Sequence, residues 1–209
     1  MKRCVYMGRN LEKNTQIKEE KTELILNAAV KTFSIKGYGS TKIADIAKEA
    51  GISHGLIYQY FTSKEEIFKI LIQRSLDITK STAEKNLSVD GTPLEKIEAH
   101  IDMYLNFLRE QREKNEKPYY FMIMYQAINF EGVSEEIKKI VNDNPNPLCN
   151  LLNPLIVEGQ QKGEIVEGDP VMLTEFLMQI MLGLGISNNT TKYNAPLPDK
   201  NLILRMLKK

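Results

Sequence analysis

Apolar residues recur at the i, i+3, i+4 spacing of helices along most of the chain, and no stretch alternates convincingly with period two. The pattern predicts an all-α protein. Leu24, Ile25, Ala28, Ala29, Thr32 and Phe33 give a first helix, over residues 18–36, one buried face, and Gly37 supplies the left-handed residue that ends it. Ser40 or Thr41 caps a second helix, residues 41–50, that buries Ile43, Ile46, Ala47 and Ala50. Gly51 stops it, and Ser53 opens a short third helix through Tyr60. Ser63 with Glu66 forms a capping box for a fourth, which carries Ile67, Phe68, Leu71 and Ile72 on one face and reaches the early eighties. Beyond the turn residues Asp90, Gly91 and Pro93, helices are expected over 94–112 and 117–130, then from Pro145 and Pro147 to residue 162, where Gly163 ends the helix. A strongly apolar helix follows over 170–186. A loop with Asn188, Asn189, Pro196 and Pro198 leads to a short last helix.

Residues 43–61 hold the most specific constellation. Two helices that cross steeply through a tight turn need a small residue where their backbones meet and a residue that tolerates positive φ at the turn. Ala47 and Gly51 are those residues, and Ile46, Ala50, Ile52, Ile57 and Tyr60 are the hydrophobic pins. This is the pattern of a DNA-binding helix-turn-helix, whose second helix enters the major groove. Ala and Gly four apart say little alone; five pins and two N-caps in register make the pattern specific.

The roles follow from side-chain chemistry. Thr41, at a helix N-terminus, suits a phosphate, and Lys42 beside it reaches a phosphate or a base edge. Tyr58 and Tyr60 offer phenolic donors to phosphates, and Lys64 adds charge at the start of the fourth helix. Each of these residue types is also common on ordinary surfaces, and Tyr60 doubles as a core pin. Base reading falls to Ser53, His54, Gly55, Leu56 and Gln59: His54 suits a purine N7 or O6, Gln59 pairs with adenine, and Gly55 lets the backbone come close. Leu56 either meets a thymine methyl or joins the core. Charge adds to this picture. Residues 1–62 carry ten Lys/Arg against six Asp/Glu, and the remainder 18 against 21, so a net charge of +1 conceals a basic head. A solvated surface would give the same count; position around the motif favours phosphate.

The stretch 25–68 resembles the tetracycline-repressor (TetR) family. The matching residues are Ile25, Ala28, Ala29, Phe33, Gly37-Tyr38 and Thr41, then Ile46 through Ser53, Gly55, Tyr58, Tyr60-Phe61 and Ser63 through Phe68. Leu56 and Ala44 depart from the small hydroxyl and the polar residue common there. The resemblance implies a homodimer with a DNA-binding head, residues 18–63, and a helical ligand-sensing and dimerising body, residues 64–209. It also implies repression of a double-stranded DNA operator, relieved by a small molecule.

The body is rich in Met and aromatic residues, which either line an adaptable apolar pocket or are plain core. His100, Tyr104, Phe107, Phe121, Met122, Tyr125, Met172 and Phe176 are the candidate lining. Gly183 and Gly185, beside Leu177, Met181 and Leu182, suit close helix packing. By resemblance this helix and the last one, with Leu202, Ile203, Leu204 and Leu207, form a four-helix interface across a two-fold axis.

Catalytic and metal chemistry find no foothold in the sequence. The two histidines, His54 and His100, have no Cys or second His nearby, there is no Gly-rich phosphate loop or nucleophile elbow, and the pair Glu135-Glu136 suits a solvated helix face. No cofactor is expected. Cys4 and Cys149 make no disulfide framework, residues 1–16 lack the apolar core of a signal peptide, and Thr174, Glu175 and Gln179 interrupt the apolar stretch 171–186. A soluble cytoplasmic regulator with no membrane contact is expected. An activator, a regulator answering to a protein partner, a helical interaction module and, more remotely, an enzyme are the alternatives.

Overall fold

The computed structural model describes residues 2–114, 116–117, 119–143, 147–189 and 195–209, with side chains described from Thr15 onward, Asn189 excepted. Pro145 and the side chains of Cys4 and Asn189 therefore lie outside the described residues. The element order is α1 (Lys2–Lys36), α2 (Ile43–Ala50), α3 (His54–Ile57), α4 (Lys64–Leu87), α5 (Pro93–Glu113), α6 (Tyr119–Asn129), α7 (Glu135–Asp143), α8 (Pro147–Gln161), α9 (Pro170–Asn189) and α10 (Lys200–Leu204). The all-α expectation stands. Among the described residues the one departure is an isolated bridge, Ile165 with Lys208, where the chain end lies against the segment after α8.

Several boundaries move for local reasons. The first helix begins at Lys2, not Lys18, and Leu24 is exposed while Leu26 and Val30 join its buried face. Thr41 does not cap α2: its hydroxyl donates to the Gly37 carbonyl at 2.7 Å, and Asp45 instead accepts the Lys42 N–H at 2.9 Å. Ser63 accepts from the Glu66 N–H as expected, but the Glu66 carboxylate turns back to the N–H and hydroxyl of Thr62, both at 2.6 Å. The sequence pattern missed α7. It buries Ile137 and half-buries Ile140 and Val141, a face too short to register between turn residues, while Glu135 and Glu136 are solvated as expected.

Two cores hold the chain together. The first gathers Ile25, Ala29 and Phe33 of α1, Ile46 of α2, Ile57 of α3 and Ile67 to Leu76 of α4 around Ile123 and Ala127 of α6 and Ile137 of α7. The second gathers Ala83 and Leu87 of α4 with Ile97, Ile101 and Leu105 of α5, Leu152 and Ile156 of α8, Leu177 and Met181 of α9, and Ile203, Leu204 and Leu207 at the chain end. Burial of such side chains is worth about 1.5–3 kcal/mol each, so the C-terminal segment is firmly tied into the second core. The first core takes in residues on either side of position 63, and α4 runs through both.

Two expectations about α9 and α10 are corrected here. Ile203, Leu204 and Leu207 are buried inside their own chain, which leaves only Leu202 of that set exposed. Gly185, placed by sequence on a surface facing another subunit, is buried: a Cβ there would come within 2.7 Å of the Phe121 ring and the Tyr104 hydroxyl. That hydroxyl donates to the Met181 carbonyl at 2.7 Å, sealing α5 and α6 against α9. Gly183, two residues earlier, faces open space. The pair therefore makes a controlled experiment. Gly185→Ala should lower stability by about 1–3 kcal/mol through overpacking, whereas Gly183→Ala should be neutral or raise it by up to about 1 kcal/mol through helix propensity. Urea unfolding of the two variants measures the difference.

Candidate nucleic-acid interface

The turn between α2 and α3 closes as the pins require. Gly51 sits at φ 65°, and the Ile52 N–H donates to the Ala47 carbonyl at 3.0 Å. Ile46, Ala47 and Ile57 are buried, and Ala50, Ile52 and Tyr60 pack half-buried against them. Phe61 is a further buried pin. The helix α3 is a single turn, capped by the Ser53 hydroxyl on the Leu56 N–H at 3.3 Å. It ends at Ile57, earlier than Tyr60, because the N–H groups of both Tyr60 and Phe61 close on the Ile57 carbonyl.

This geometry turns Ser53, His54, Gly55, Tyr58 and Gln59 to solvent and leaves Leu56 half-buried. His54 and Tyr58 lie edge to face, ring centroids 5.2 Å apart. Lys42 is exposed at the start of α2. Neighbouring cations are spent within the head: Lys36 pairs with Asp45 at 2.6 Å and Lys31 with Glu49 at 2.5 Å. Lys42 and Lys48 have no ion-pair partner among the described residues, so their charge is open to an external anion.

Two of the anticipated contacts are differently placed. Thr41 is buried, its hydroxyl occupied by Gly37. Lys64 is half-buried, donates to the Tyr38 carbonyl at 2.8 Å and lies 4.4 Å from the centre of the Tyr38 ring; burial holds its ammonium below the usual lysine range.

Tyr38 is thereby the junction of head and body, a role the sequence pattern did not single out. Its N–H donates to Gln126 Oε1 at 2.8 Å, and the Gln126 amide donates to the Phe33 carbonyl at 2.9 Å. Its ring packs against Phe33, Phe68 and Phe130, and a Cβ on Gly39 would meet the Phe130 ring at 2.6 Å. The clue in the sequence was a single Gln in the otherwise apolar run Tyr119 to Ala127. Around it, Ser34 and Ser75 donate to the carbonyls of Tyr119 and Tyr120, and Arg74 binds Glu23 through two bonds at 2.8 and 2.5 Å.

The candidate ligand residues divide. His100 is buried, Tyr104 and Phe121 meet at Gly185, and Met122 and Tyr125 are half-buried on α6. Phe107, Met172 and Phe176 stand on the surface, so the eight do not line one cavity. Two surface clefts of about 270 and 260 Å³ are lined by α6–α7 residues such as Ile128, Phe130 and Lys138, and by Arg109, Arg112, Glu113 and Leu197. Neither cleft includes any of the eight.

A helix-turn-helix with an exposed reading face, packed on a helical body, defines a DNA-binding transcription regulator. The family description "bacterial regulatory proteins, tetR family" matches residues 25–71. The chain is 27% identical over 156 residues to the fatty acid metabolism regulator protein of Bacillus subtilis (strain 168), covering 75% of this chain and 76% of that one. It is 35% identical over 95 residues to the HTH-type transcriptional regulator HbdR of Aromatoleum sp. (strain CIB), covering 46% and 42%. A TetR-family regulator from Agrobacterium tumefaciens has the same fold, with a TM-score of 0.74 at 18% identity over 92% of this chain and 100% of that one. Residues 25–71 thus match the DNA-binding region of the TetR family, and the rest of the chain shares the fold of its members.

Two outcomes follow from this geometry. Lys64→Ala and Gln126→Ala should each destabilise the fold by about 1–3 kcal/mol, because each strands a polar backbone group of the junction, whereas His54→Ala and Gln59→Ala should leave the unfolding midpoint within about 0.5 kcal/mol of the parent. Burial also pushes the His100 imidazole down from 6.5 to about 4. The unfolded chain then takes up a proton that the fold refuses, so stability should fall as pH drops from about 6.5 to about 4 and His100 adds nothing further below that. Unfolding curves of the parent and of His100→Phe across this range isolate the contribution.

Proposed function

We propose that the chain is a dimeric repressor of a double-stranded DNA operator, released when a small, largely apolar compound binds in the body. The observation that carries the DNA-binding reading is the exposed face of Ser53, His54, Gly55, Tyr58 and Gln59 beside Lys42 and Lys48, which form no ion pair among the described residues. Phosphates, identical on every sequence, are met by Lys42, Tyr58, Tyr60 and Lys64, with Thr41 shaping the α2 N-terminus from within. Base edges are met by Ser53, His54, Gly55, Gln59 and the free tip of Leu56.

Residues 18–63 act as the head and 64–209 as the body, joined at Tyr38. The Met- and aromatic-rich body, together with a relative named as a regulator of fatty acid metabolism, supports an apolar effector. The exposed side of α9 supports a second copy of the chain as partner. Met172 is 70% and Phe176 49% exposed, and with Gln179 and the open Gly183 they follow one helical stripe. α9 is long and apolar enough to cross a membrane by length and composition alone, contrary to the reading of its interruptions, and 22% of that stretch is buried within the chain. A partner helix covers such a face without a bilayer, and the regulator works in the cytoplasm without cofactor or catalysis.

Sites selected from random DNA should share a two-fold symmetric sequence. On that sequence His54→Ala or Gln59→Ala should cost about 1–3 kcal/mol at one base pair per half-site and leave binding to unrelated DNA unchanged. Lys42→Ala should instead weaken all DNA alike and reduce the salt slope by about one unit per lost contact. The mass in solution should be about twice the chain mass of 23.9 kDa. A reporter fused to the selected site decides repression against activation, and a monomer, or a Lys42 effect confined to one sequence, would refute the assignment.

A further inference from the structure

His100 is 5% exposed on α5, between the fully buried Ile97 and Ile101, and Asn86 from the end of α4 is 4% exposed beside it. Asn86 Nδ2 lies 3.5 Å from His100 Nδ1. An amide NH₂ only donates, so Nδ1 accepts and the ring proton belongs on Nε2. That Nε2 is buried and has no hydrogen-bond partner among the described residues. The surrounding side chains of the second core, Ala83, Leu87, Ile97 and Ile101 among them, offer it none. One turn along the helix, the Tyr104 hydroxyl donates to the Met181 carbonyl and forms no bond with His100. A donor left bare in an apolar core is costly, and folded proteins keep few of them. Burial also keeps the ring neutral at ordinary pH, so it acts as a hydrogen-bond donor and not as a cation.

We propose that His100 Nε2–H is the anchoring donor of the effector site, and that the effector is an apolar compound carrying one acceptor group, a carbonyl or a carboxylate. This rests on the reading that the body binds a small apolar effector, and it names the atom that reads it. The apolar part of the compound replaces side-chain contacts of the second core, and its oxygen supplies the acceptor that the core lacks. Asn86 is a positioning residue: by occupying Nδ1 it fixes the proton on Nε2. A head that only donates, such as an ammonium, has nothing to offer this site, and a plain hydrocarbon gains no advantage from it.

The chain has two histidines, so ring-nitrogen NMR of the labelled full-length protein gives two pairs of imidazole signals, assigned with His54→Ala. The probes are butyrophenone, 4-phenylbutanoate and butylbenzene, which share an apolar body and differ in the oxygen. We expect at least one oxygen-bearing probe to shift the His100 Nε2–H signal and to bind about ten-fold more tightly than butylbenzene. His100→Phe should erase that preference while still binding butylbenzene, and Asn86→Leu should let the ring proton move to Nδ1 and weaken the preference. Equal binding of all three probes, binding that leaves the His100 ring unmoved, a water still bound to Nε2 at saturation, or no binding by either oxygen-bearing probe would each overturn the proposal. Release from DNA is scored separately. A probe that engages His100 without releasing DNA defeats the effector reading and leaves the site standing. A compound that releases DNA without touching His100 does the reverse.

Discussion

The contacts that fix the loop between α1 and α2 to the body converge on the backbone and ring of Tyr38. Its N–H is held by Gln126 from the body, its carbonyl by Lys64 at the start of α4, and its ring by Phe33, Phe68 and Phe130. A loop between two helices ordinarily has the freedom to adjust. Here the loop from Gly37 to Thr41 is fixed on three sides, because a second residue in it, Thr41, turns its hydroxyl back onto Gly37. Removing Gln126 or Lys64 strands a polar backbone group of Tyr38, and removing a ring opens a gap beside it, so the junction resists piecemeal change.

Much of the fold was legible because local rules and tertiary packing agreed. The pins of the helix-turn-helix, the αL residue at Gly51 and the Ser53 cap are local features, and the structure places them as the sequence reading anticipates. What escaped was non-local. Gln126 stands out as the one polar side chain in the run Tyr119 to Ala127 apart from the tyrosines, but the run does not name Phe33 and Tyr38 as its partners, which lie 93 and 88 residues away in sequence. The short α7 was hidden by its small apolar face. The role of Gly185 was misread because a glycine suited to close packing does not reveal which helix comes close, and the neighbours proved to be Tyr104 and Phe121 of the same chain.

The candidate ligand residues show the limit of composition as a guide. A Met- and aromatic-rich stripe contains residues facing inward and outward alike, and periodicity does not say which side of α9 is covered. The structure sorts them: Met181 and Leu177 face the second core, while Met172 and Phe176 face away from it. The one polar residue of that set buried without a complete set of partners, His100, was present in the sequence reading only as one of several candidates. Its isolation became visible once the tautomer imposed by Asn86 was considered.

The tether on Lys64 has a thermodynamic consequence for its proposed contact with a DNA phosphate. A free lysine on a surface gives up as much as about 2 kcal/mol of rotamer entropy when it settles on a phosphate. Lys64 has three N–H donors, and Tyr38 takes one of them while its ring confines the side chain. The remaining two donors are thus already oriented before any DNA arrives. The ordering cost of that contact falls on folding instead of on association, and a phosphate in reach of Lys64 meets a group that has little motion left to lose.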